Sequence, residues 1–423
     1  MIVFPYHLKN NKLLQIISDH WEEFKKRYPS YDDEYYDSVV KSVLKCSDPQ
    51  FGFRQYMCLS CGLESKIVAF SCKSKFCLRC GRVNGERFSI SIKDRLHPDI
   101  PYRHLILTIP EQTRIIFYQN RKDGKLFGLF FDAGWVCIQD FVSKALGHSI
   151  ECGAIVVLHL VGRSGEYKPH LHVILMGGGI NSASNKWERL DKFPYEILHR
   201  SWQKALLSML ADWDKDGRYF DLLWSLEDKY PKGFVARIEG GALPKASKPL
   251  IRYLSKYICR PQISQKRIKK YNREHDEVEF EFKSHQTKKI ETEKLGASKF
   301  LGRLLQQILP KGFQRVRYYG LQATKNADRL KYFVSKSIGS LYLPDQKADP
   351  KQKSGPKKID YRGLVSMWWG KDPFKCQGCG GTMELVRIWD SKKGFVFSLF
   401  RQLFGRDIGP PGELPDICFQ AAY

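Results

Sequence analysis

Apolar residues recur along this chain at spacings that predict a mixture of helices and strands. Residues 1–45 carry them at mixed intervals of three and four, which is typical of helix. Short apolar runs predict strands instead, and the run at 154–161 is apolar on both faces, which indicates a central strand. The predicted strands are residues 102–110, 153–162, 168–176 and 233–239.

The polar loop at 163–168 is short, so we expect the strands on either side of it to pair as an antiparallel hairpin. Helices are predicted at 194–213 and at 250–259, where Pro261 ends the second one. This mixture of strands and helices indicates an α+β fold with a largely antiparallel central sheet flanked by helices.

The balance of charge favours a polyanionic partner. The 423 residues include 70 Lys and Arg against 45 Asp and Glu, a formal net charge of +25. Nucleic acid is the first candidate and an acidic membrane surface the second. Aromatic residues make up 13% of the chain and are interleaved with the basic ones, which favours nucleic acid because bases stack on aromatic rings. A basic protein without such a partner is the ordinary alternative.

The first residues lack the charged region, apolar run and cleavage site of a signal peptide, and no apolar run reaches the length of a membrane span. We therefore expect a cytoplasmic protein with no membrane partner. In a reducing compartment, the twelve cysteines are expected to be thiols and metal ligands rather than disulfides.

Two Cys-x-x-Cys pairs predict a structural zinc site. Cys58 and Cys61 form the first pair, and Cys77 and Cys80 form the second after a gap of fifteen residues. That gap suits a zinc ribbon, in which four thiolates surround one Zn²⁺. Four cysteine ligands leave the ion no open position for catalysis, so the predicted role of this segment is DNA recognition. We expect one zinc ion per chain. Cys72 could replace one of the four or simply be buried.

A third pair, Cys376 and Cys379, follows a segment at 344–360 that is rich in Pro, Lys and Gly and predicts a flexible linker. The pair would form half of another zinc site if a residue such as Cys418 folded back onto it. The sequence alone leaves the role of this pair open.

The strand predicted at 168–176 opens with two histidines, His170 and His172. Alternate residues of a strand share a face, so the two imidazoles could bind one divalent ion, Mg²⁺ or Mn²⁺. His159 on the neighbouring strand is the first choice for a third ligand, and Glu166 in the connecting loop is the alternative. Such an ion would polarise a phosphate group. Taken alone, a His-x-His pair is more often a core or surface feature.

Tyr253 and Tyr257 lie four residues apart in a predicted helix and therefore share one face of it. A phenol has a pKa of about 10, and Lys256, three residues after Tyr253, could favour the phenolate. Attack on a DNA phosphate would join the 5′ end to tyrosine and free a 3′ hydroxyl, with no nucleotide cofactor and no small-molecule substrate. Packing in the core is the ordinary alternative for either ring.

Together these motifs resemble the IS91-type two-tyrosine HUH transposases. The resemblance is carried by residues 58–80, 103–110, 169–172, 253–261, 309–313 and 317–320. It implies an HUH-type nuclease domain in which Tyr253 and Tyr257 are the nucleophiles. It also implies that the chain moves DNA by a rolling-circle-like mechanism, acting on single-stranded element ends and target DNA in the bacterial nucleoid.

Two alternatives accompany this hypothesis. One is a replication initiator or plasmid relaxase of the same superfamily, and the other is a zinc-ribbon regulator without catalysis, in which the histidines and tyrosines are structural. The predicted organisation is a helical segment at 1–45, a zinc ribbon at 46–95, an HUH tyrosine nuclease domain at 100–262, a basic helical and aromatic DNA-binding region at 263–343, a linker at 344–360 and a tail with Cys-x-x-Cys at 361–423.

Overall fold

The computed structural model describes residues 11–405 apart from 75, 98, 260–262, 285–286, 327–328 and 331–359, so that Cys418 and nearly all of the predicted linker lie outside the described residues. The chain divides into two compact units. The first consists of Met1–Arg87, Lys270–Glu277 and Pro356–Tyr423, and the second of Phe88–Lys269 and Val278–Gly355.

In chain order, the described helices are α1 (Lys12–Arg27), α2 (Glu34–Leu44), α3 (Leu78–Arg95), α4 (Arg114–Gln119), α5 (Gly124–Leu146), α6 (Tyr195–Trp213), α7 (Phe220–Lys229), α8 (Ser247–Leu254), α9 (Ala297–Leu305), α10 (Tyr361–Trp369) and α11 (Leu399–Phe404). The strands are β1 (Gly52–Cys58), β2 (Ser65–Ala69), β3 (Tyr102–Thr108), β4 (Ile150–Glu151), β5 (Gly153–Val161), β6 (Tyr167–Met176), β7 (Gly178–Asn181), β8 (Lys186–Arg189), β9 (Ala236–Glu239), β10 (Ile268–Asn272), β11 (Glu277–Lys283), β12 (Ile290–Gly296), β13 (Val316–Gly320), β14 (Met383–Asp390) and β15 (Gly394–Ser398).

The amino-terminal helical segment forms two helices, α1 and α2. Asn11 caps the first, because its side-chain oxygen accepts a hydrogen bond from the backbone N–H of Leu14 at 3.3 Å. Pro29 interrupts the helical pattern, and a short 3₁₀ turn at Pro29–Tyr31 separates the two helices. The apolar spacing of α1 buries one stripe of side chains: Leu13, Leu14, Ile16, Ile17, Trp21 and Phe24.

The first unit is built on an antiparallel sheet of order β15-β14-β1-β2. Strand β1 lies inside this sheet, paired with β2 on one side and with β14 on the other. Residues from the two ends of the chain therefore form one sheet. The carboxyl-terminal segment, which the sequence analysis treats as a separate tail, supplies two of the four strands.

The second unit is built on a five-stranded antiparallel sheet of order β13-β5-β6-β3-β9. All nine residues of β5 are buried, which confirms the prediction of a central strand. The β5–β6 hairpin is also confirmed, and its register sets His159 opposite His170. The α+β class with antiparallel sheets and flanking helices is therefore correct.

Helices α5 and α6 cover one face of this sheet. Alternate residues of β6, Leu171, Val173 and Leu175, point into the core on that side. Gly134 of α5 faces Leu171, where a Cβ atom would lie 2.5 Å from Cδ1 of the leucine. The absence of a side chain at this glycine therefore lets α5 lie close against β6.

Helix α5 is 23 residues long, and by length and composition alone it is apolar enough to cross a membrane. The expectation that no apolar run reaches that length is therefore wrong for this segment. Within the unit, 61% of the apolar stretch of this helix is buried. Its apolar character is accounted for by packing in the core of the second unit.

The opposite face of the sheet receives α8 and the turn that follows it. Apolar side chains of this helix and of the turn pack on apolar side chains of the strands. The residues that pack together include Ile155, Val157, Ile174, Leu250, Leu254 and Ile258. The positions that continue this face beyond Val157 and Ile174 are His159 and His172. At this end of the sheet, imidazole side chains therefore take the place of the apolar side chains of the core.

The described part of the region predicted at 263–343 as basic, helical and aromatic contains four strands and one α-helix. Strands β10, β11 and β12 form a separate three-stranded sheet. In β11, buried Val278 and Phe280 alternate with glutamates, the period-two pattern of a half-buried strand, which the density of charge obscures. Strand β13 pairs with β5, so the central sheet extends well past the boundary predicted at residue 262.

Candidate active site and metal centres

Three histidines of the central sheet converge at one end of its α8-facing side. His159 of β5 lies directly opposite His170 of β6, and His172 follows two residues later on the same face. Nitrogen atoms of all three lie within 4.8 Å of one another. We call these three residues the histidine cluster. Strand register alone brings them together.

Each imidazole of the histidine cluster is held through one nitrogen. His159 Nε2 lies 2.7 Å from the carbonyl oxygen of Ile258, and His170 Nδ1 lies 2.6 Å from that of Lys168. His172 Nδ1 lies 2.7 Å from His104 Nε2. Such contacts fix the orientation of a histidine ring and leave its other nitrogen to face a ligand.

The donor set fits a divalent cation. His172 Nε2 is buried and has no hydrogen-bond partner in the described part of the chain, which is costly for a polar atom unless something else occupies the site. Burial lowers the pKa of both His159 and His172 well below the usual value, so both rings are neutral. Neutral imidazole is the form that binds a metal.

Of the two alternatives for a third ligand, His159 is the one that the structure groups with His170 and His172. Glu166 lies in the loop between β5 and β6, where its side chain is exposed. The physical reason is register: opposite residues of a hairpin share a face, whereas a loop residue is not constrained to do so.

His104 joins the histidine cluster to a tyrosine, a role that the sequence analysis did not predict. Its Nδ1 lies 2.7 Å from the Tyr253 hydroxyl, while its Nε2 contacts His172. Burial, and then the charge of His170, lowers the pKa of His104 to about 4. The available signal was alternation in β3, because Tyr102 and His104 share the face on which the cluster lies.

The two tyrosines lie side by side on the helix that faces this cluster. After Leu254 the backbone widens into a π-helical turn, Ser255–Cys259. The ring centroids of Tyr253 and Tyr257 are 4.9 Å apart, and both rings are partly buried. Single π turns of this kind occur frequently at functional sites. The prediction that the pair shares a helix face agrees with this geometry.

The structure does not give Lys256 the role expected from its spacing. Its Nζ lies 4.9 Å from the ring centroid of Tyr257, and its side chain is exposed. The pKa of Tyr253 is raised, first by burial and then by the negative charges of Glu239 and Tyr257. A neighbouring cation on the helix therefore does not offset the cost of burying a phenolate at Tyr253.

A second cation, Arg315, acts electrostatically on the histidines. The charge of Arg315 contributes to lowering the pKa of both His159 and His172, and one guanidinium nitrogen donates to the Leu158 carbonyl at 3.3 Å. Arg315 belongs to the basic and aromatic region at 263–343 for which the sequence predicts DNA binding.

Other members of that segment have structural contacts. Arg317 pairs with Asp132 at 3.0 Å, and the Tyr319 hydroxyl donates to the same carboxylate at 2.7 Å. The ring of Tyr319 stacks on Trp135. Contacts within the unit therefore account for these two side chains.

The cysteines of the first unit form two clusters rather than one. Cys77 and Cys80 lie with Cys46 and Cys72, whereas Cys58 and Cys61 lie with Cys376 and Cys379. The sulfur atoms within each set are at most 4.8 Å apart. The prediction that Cys58, Cys61, Cys77 and Cys80 share one ion is therefore wrong, because each Cys-x-x-Cys pair is completed by cysteines from elsewhere in the chain.

Two family models match the chain. One, described as a transposase zinc-binding domain, matches residues 16–109, and the other, described as "Putative transposase", matches residues 153–329. Together they cover more than half of the chain. The Cys46–Cys72–Cys77–Cys80 cluster lies inside the first match, so a structural zinc in the first unit is supported. The histidine cluster and both tyrosines lie inside the second match.

Two named proteins are similar over most of their length. The chain is 24% identical to "Putative transposase y4qJ" of Sinorhizobium fredii over 375 residues, which are 84% of this chain and 90% of that protein. It is 25% identical to the transposase for insertion sequence element IS801 of Pseudomonas savastanoi pv. phaseolicola over 366 residues, 82% of each chain. No solved structure matches the chain significantly.

The histidine cluster predicts a specific pattern of metal binding. We expect His172→Ala and His159→Ala each to weaken Mn²⁺ binding at least tenfold, since each removes a ligand, and Glu166→Ala to leave it unchanged. Titration of Mn²⁺ followed by electron paramagnetic resonance measures the affinity. Unchanged hydrogen exchange in the central sheet of the second unit controls for folding. Equal Mn²⁺ affinity in His172→Ala and the unsubstituted protein would contradict the assignment.

Proposed function

This chain belongs to the IS91-type transposases, and on that basis we propose that it cleaves and rejoins single-stranded DNA at the ends of a mobile element by tyrosine transesterification. The proposal includes rolling-circle-like movement and an HUH-type active site. The observation that carries it is the hydrogen-bonded path from the Tyr253 hydroxyl through His104 to His172. This path links the proposed nucleophile to a proposed metal ligand through two hydrogen bonds, and the first of them joins residues that are 149 positions apart in the sequence.

His159, His170 and His172 would hold a divalent cation in this proposal. When bound, Mg²⁺ or Mn²⁺ would polarise the scissile phosphate and neutralise charge on its oxygens. The basic side chains of the chain would supply most of the DNA affinity, since its formal net charge is +25. Arg315, beside the histidine cluster, is suited to contact a phosphate oxygen through its guanidinium group.

Tyr253 is the proposed first nucleophile. A bond forms between its oxygen and phosphorus, and the bond from phosphorus to the 3′ oxygen breaks. The products are a 5′-phosphotyrosine ester and a free 3′ hydroxyl, with the phenol proton released and the leaving oxygen protonated. The phosphodiester energy is kept in the ester, so a 3′ hydroxyl can reverse the step and rejoin DNA without a nucleotide cofactor.

His104 would favour the phenolate of Tyr253. If His172 binds metal through Nε2, its Nδ1 carries the proton and donates to His104 Nε2. The remaining nitrogen of a neutral His104, Nδ1, then carries a proton and donates to the tyrosine oxygen. This donor offsets part of the pKa increase that burial imposes on Tyr253.

Tyr257 supplies the second hydroxyl. With its ring adjacent to that of Tyr253, it could attack one strand while the first tyrosine holds another. Lys256 contacts the ring of Tyr257, so any effect of its charge is expected at this second tyrosine.

Replacing both tyrosines tests the nucleophile assignment. Incubation with single-stranded element-end oligonucleotides and Mn²⁺ should give a covalent protein–DNA band on a denaturing gel. We expect this band to disappear in the Tyr253→Phe, Tyr257→Phe double variant, because phenylalanine has no hydroxyl. Tyr195→Phe, at a half-exposed tyrosine of α6, is the matched control and should retain the band. Persistence of the band in the double variant would refute the assignment.

Two substitutions of His104 distinguish the effect of its Nδ1–H donor from the effect of its side-chain volume. His104→Ala should slow single-turnover cleavage by about a hundredfold, a typical cost of removing one donor to a developing oxyanion, and should shift the rate profile to higher pH. His104→Asn can keep an N–H near the Nδ1 position and should restore most of the rate. DNA affinity, measured by fluorescence anisotropy, should be the same in both. An unshifted pH profile in His104→Ala would contradict the positioning role.

A further inference from the structure

Two Cys-x-x-Cys-Gly turns of the first unit have the same backbone geometry, although more than three hundred residues separate them. Gly62 N–H donates to the Cys58 carbonyl at 2.8 Å, and Gly380 N–H donates to the Cys376 carbonyl at 3.0 Å. Both glycines have positive φ, +70° and +74°. The third such pair differs, since it is followed by Gly81 within helix α3. The first two turns are therefore matching halves of a zinc ribbon.

The sulfur atoms of one turn lie close to those of the other. Cys58 Sγ lies 3.4 Å from Cys379 Sγ, and Cys61 Sγ lies 3.7 Å from Cys376 Sγ. Tetrahedral Zn²⁺ with Zn–S bonds of about 2.3 Å requires sulfurs about 3.8 Å apart. The two distances above are close to this value, and all four sulfurs lie within 4.8 Å of one another, so the set is close to the geometry that encloses one ion.

The surrounding residues hold the two turns in register from both sides. Strand β1 ends at Cys58, opposite Met383 at the start of β14. Phe374 stacks on Tyr56 with ring centroids 4.1 Å apart. Two polar contacts lie nearby: Gln377 N–H donates to Glu64 Oε2 at 2.6 Å, and Lys66 Nζ donates to the Pro373 carbonyl at 2.9 Å. Backbone pairing, aromatic stacking and side-chain contacts all join the same two segments.

We propose that Cys58, Cys61, Cys376 and Cys379 bind a second structural zinc ion, which fastens the carboxyl-terminal strands into the amino-terminal sheet. We call these four residues the split cluster. The zinc-binding family match ends at residue 109, so half of these ligands lie outside both family matches. The amino-terminal zinc-binding region is thus complete only when β14 and β15 are in place.

The split cluster is also the more accessible of the two. Cys379 is exposed, whereas in the other cluster Cys46, Cys77 and Cys80 are buried and Cys72 is intermediate. A chelator or an oxidant should therefore reach the split cluster first. Loss of its zinc would loosen β14 from β1 and leave an edge of β1 unpaired.

Metal content of the full-length protein tests the proposal. We expect two zinc ions per chain by mass spectrometry of the purified protein, and one in the Cys376→Ser, Cys379→Ser variant. Cys152→Ala, which removes a buried cysteine outside both clusters, should retain two. One zinc in the unsubstituted protein, or two in the double variant, would overturn the proposal.

Two measurements on the unsubstituted chain avoid any dependence on variant folding. Cobalt titration of the metal-free protein should fill two sites per chain that have the absorption of tetrahedral thiolate coordination, and any cobalt at the histidine cluster is distinguished by lacking the thiolate-to-metal band. Brief chelation should remove one ion and increase hydrogen exchange in β1 and β14 but not in the central sheet of the second unit. Peptide mapping without reduction could instead reveal a Cys58–Cys379 disulfide in protein that holds only one thiolate-bound metal ion. That result would refute zinc binding by the split cluster.

Discussion

The burial of imidazoles on one sheet face is the constraint on which the second unit depends. Along β5 and β6 this face carries isoleucine and valine, and then His159 and His172 at the same depth. A buried imidazole nitrogen without a partner costs about 1–3 kcal/mol. The fold places one nitrogen of each ring against a carbonyl or another imidazole, and it brings nitrogen atoms of the three rings within 4.8 Å of one another. The proposed metal site therefore follows from strand register.

The tyrosine helix belongs to the same arrangement. The carbonyl of Ile258, next to Tyr257, orients His159, and the hydroxyl of Tyr253 contacts His104. A one-residue slip of β6 would turn its histidines into the opposite core and break the contact between His172 and His104. The proposed nucleophiles and the proposed metal ligands are thus positioned by one set of contacts, which gives a physical basis to the family resemblance.

Sequence patterns predicted the parts of this site that depend on local spacing. His170 with His172, and Tyr253 with Tyr257, are close because strand and helix periods make them so. The contribution of His104 depends on which strand pairs with β6, and no local pattern specifies that. Charge density at 263–343 likewise obscured the alternation of Val278 and Phe280.

The cysteines show the same limit more sharply. The sequence identifies each Cys-x-x-Cys pair. Which other cysteines complete the metal site of each pair depends on the tertiary structure, and the fifteen-residue gap favoured the wrong combination. Cys46 follows a helix and is part of no such pair, while Cys376 is distant in sequence. The recurrence of glycine after each pair was the only local signal that Cys58 and Cys376 begin equivalent turns.

The most direct test of the central claim is a crystal structure of the protein with Mn²⁺, with anomalous diffraction used to locate the ion. The account predicts a single strong peak in the second unit, within bonding distance of His159, His170 and His172, on the side of the sheet that carries Tyr253. A peak elsewhere in that unit with the histidine cluster empty, or Tyr253 turned away from the ion, would contradict it.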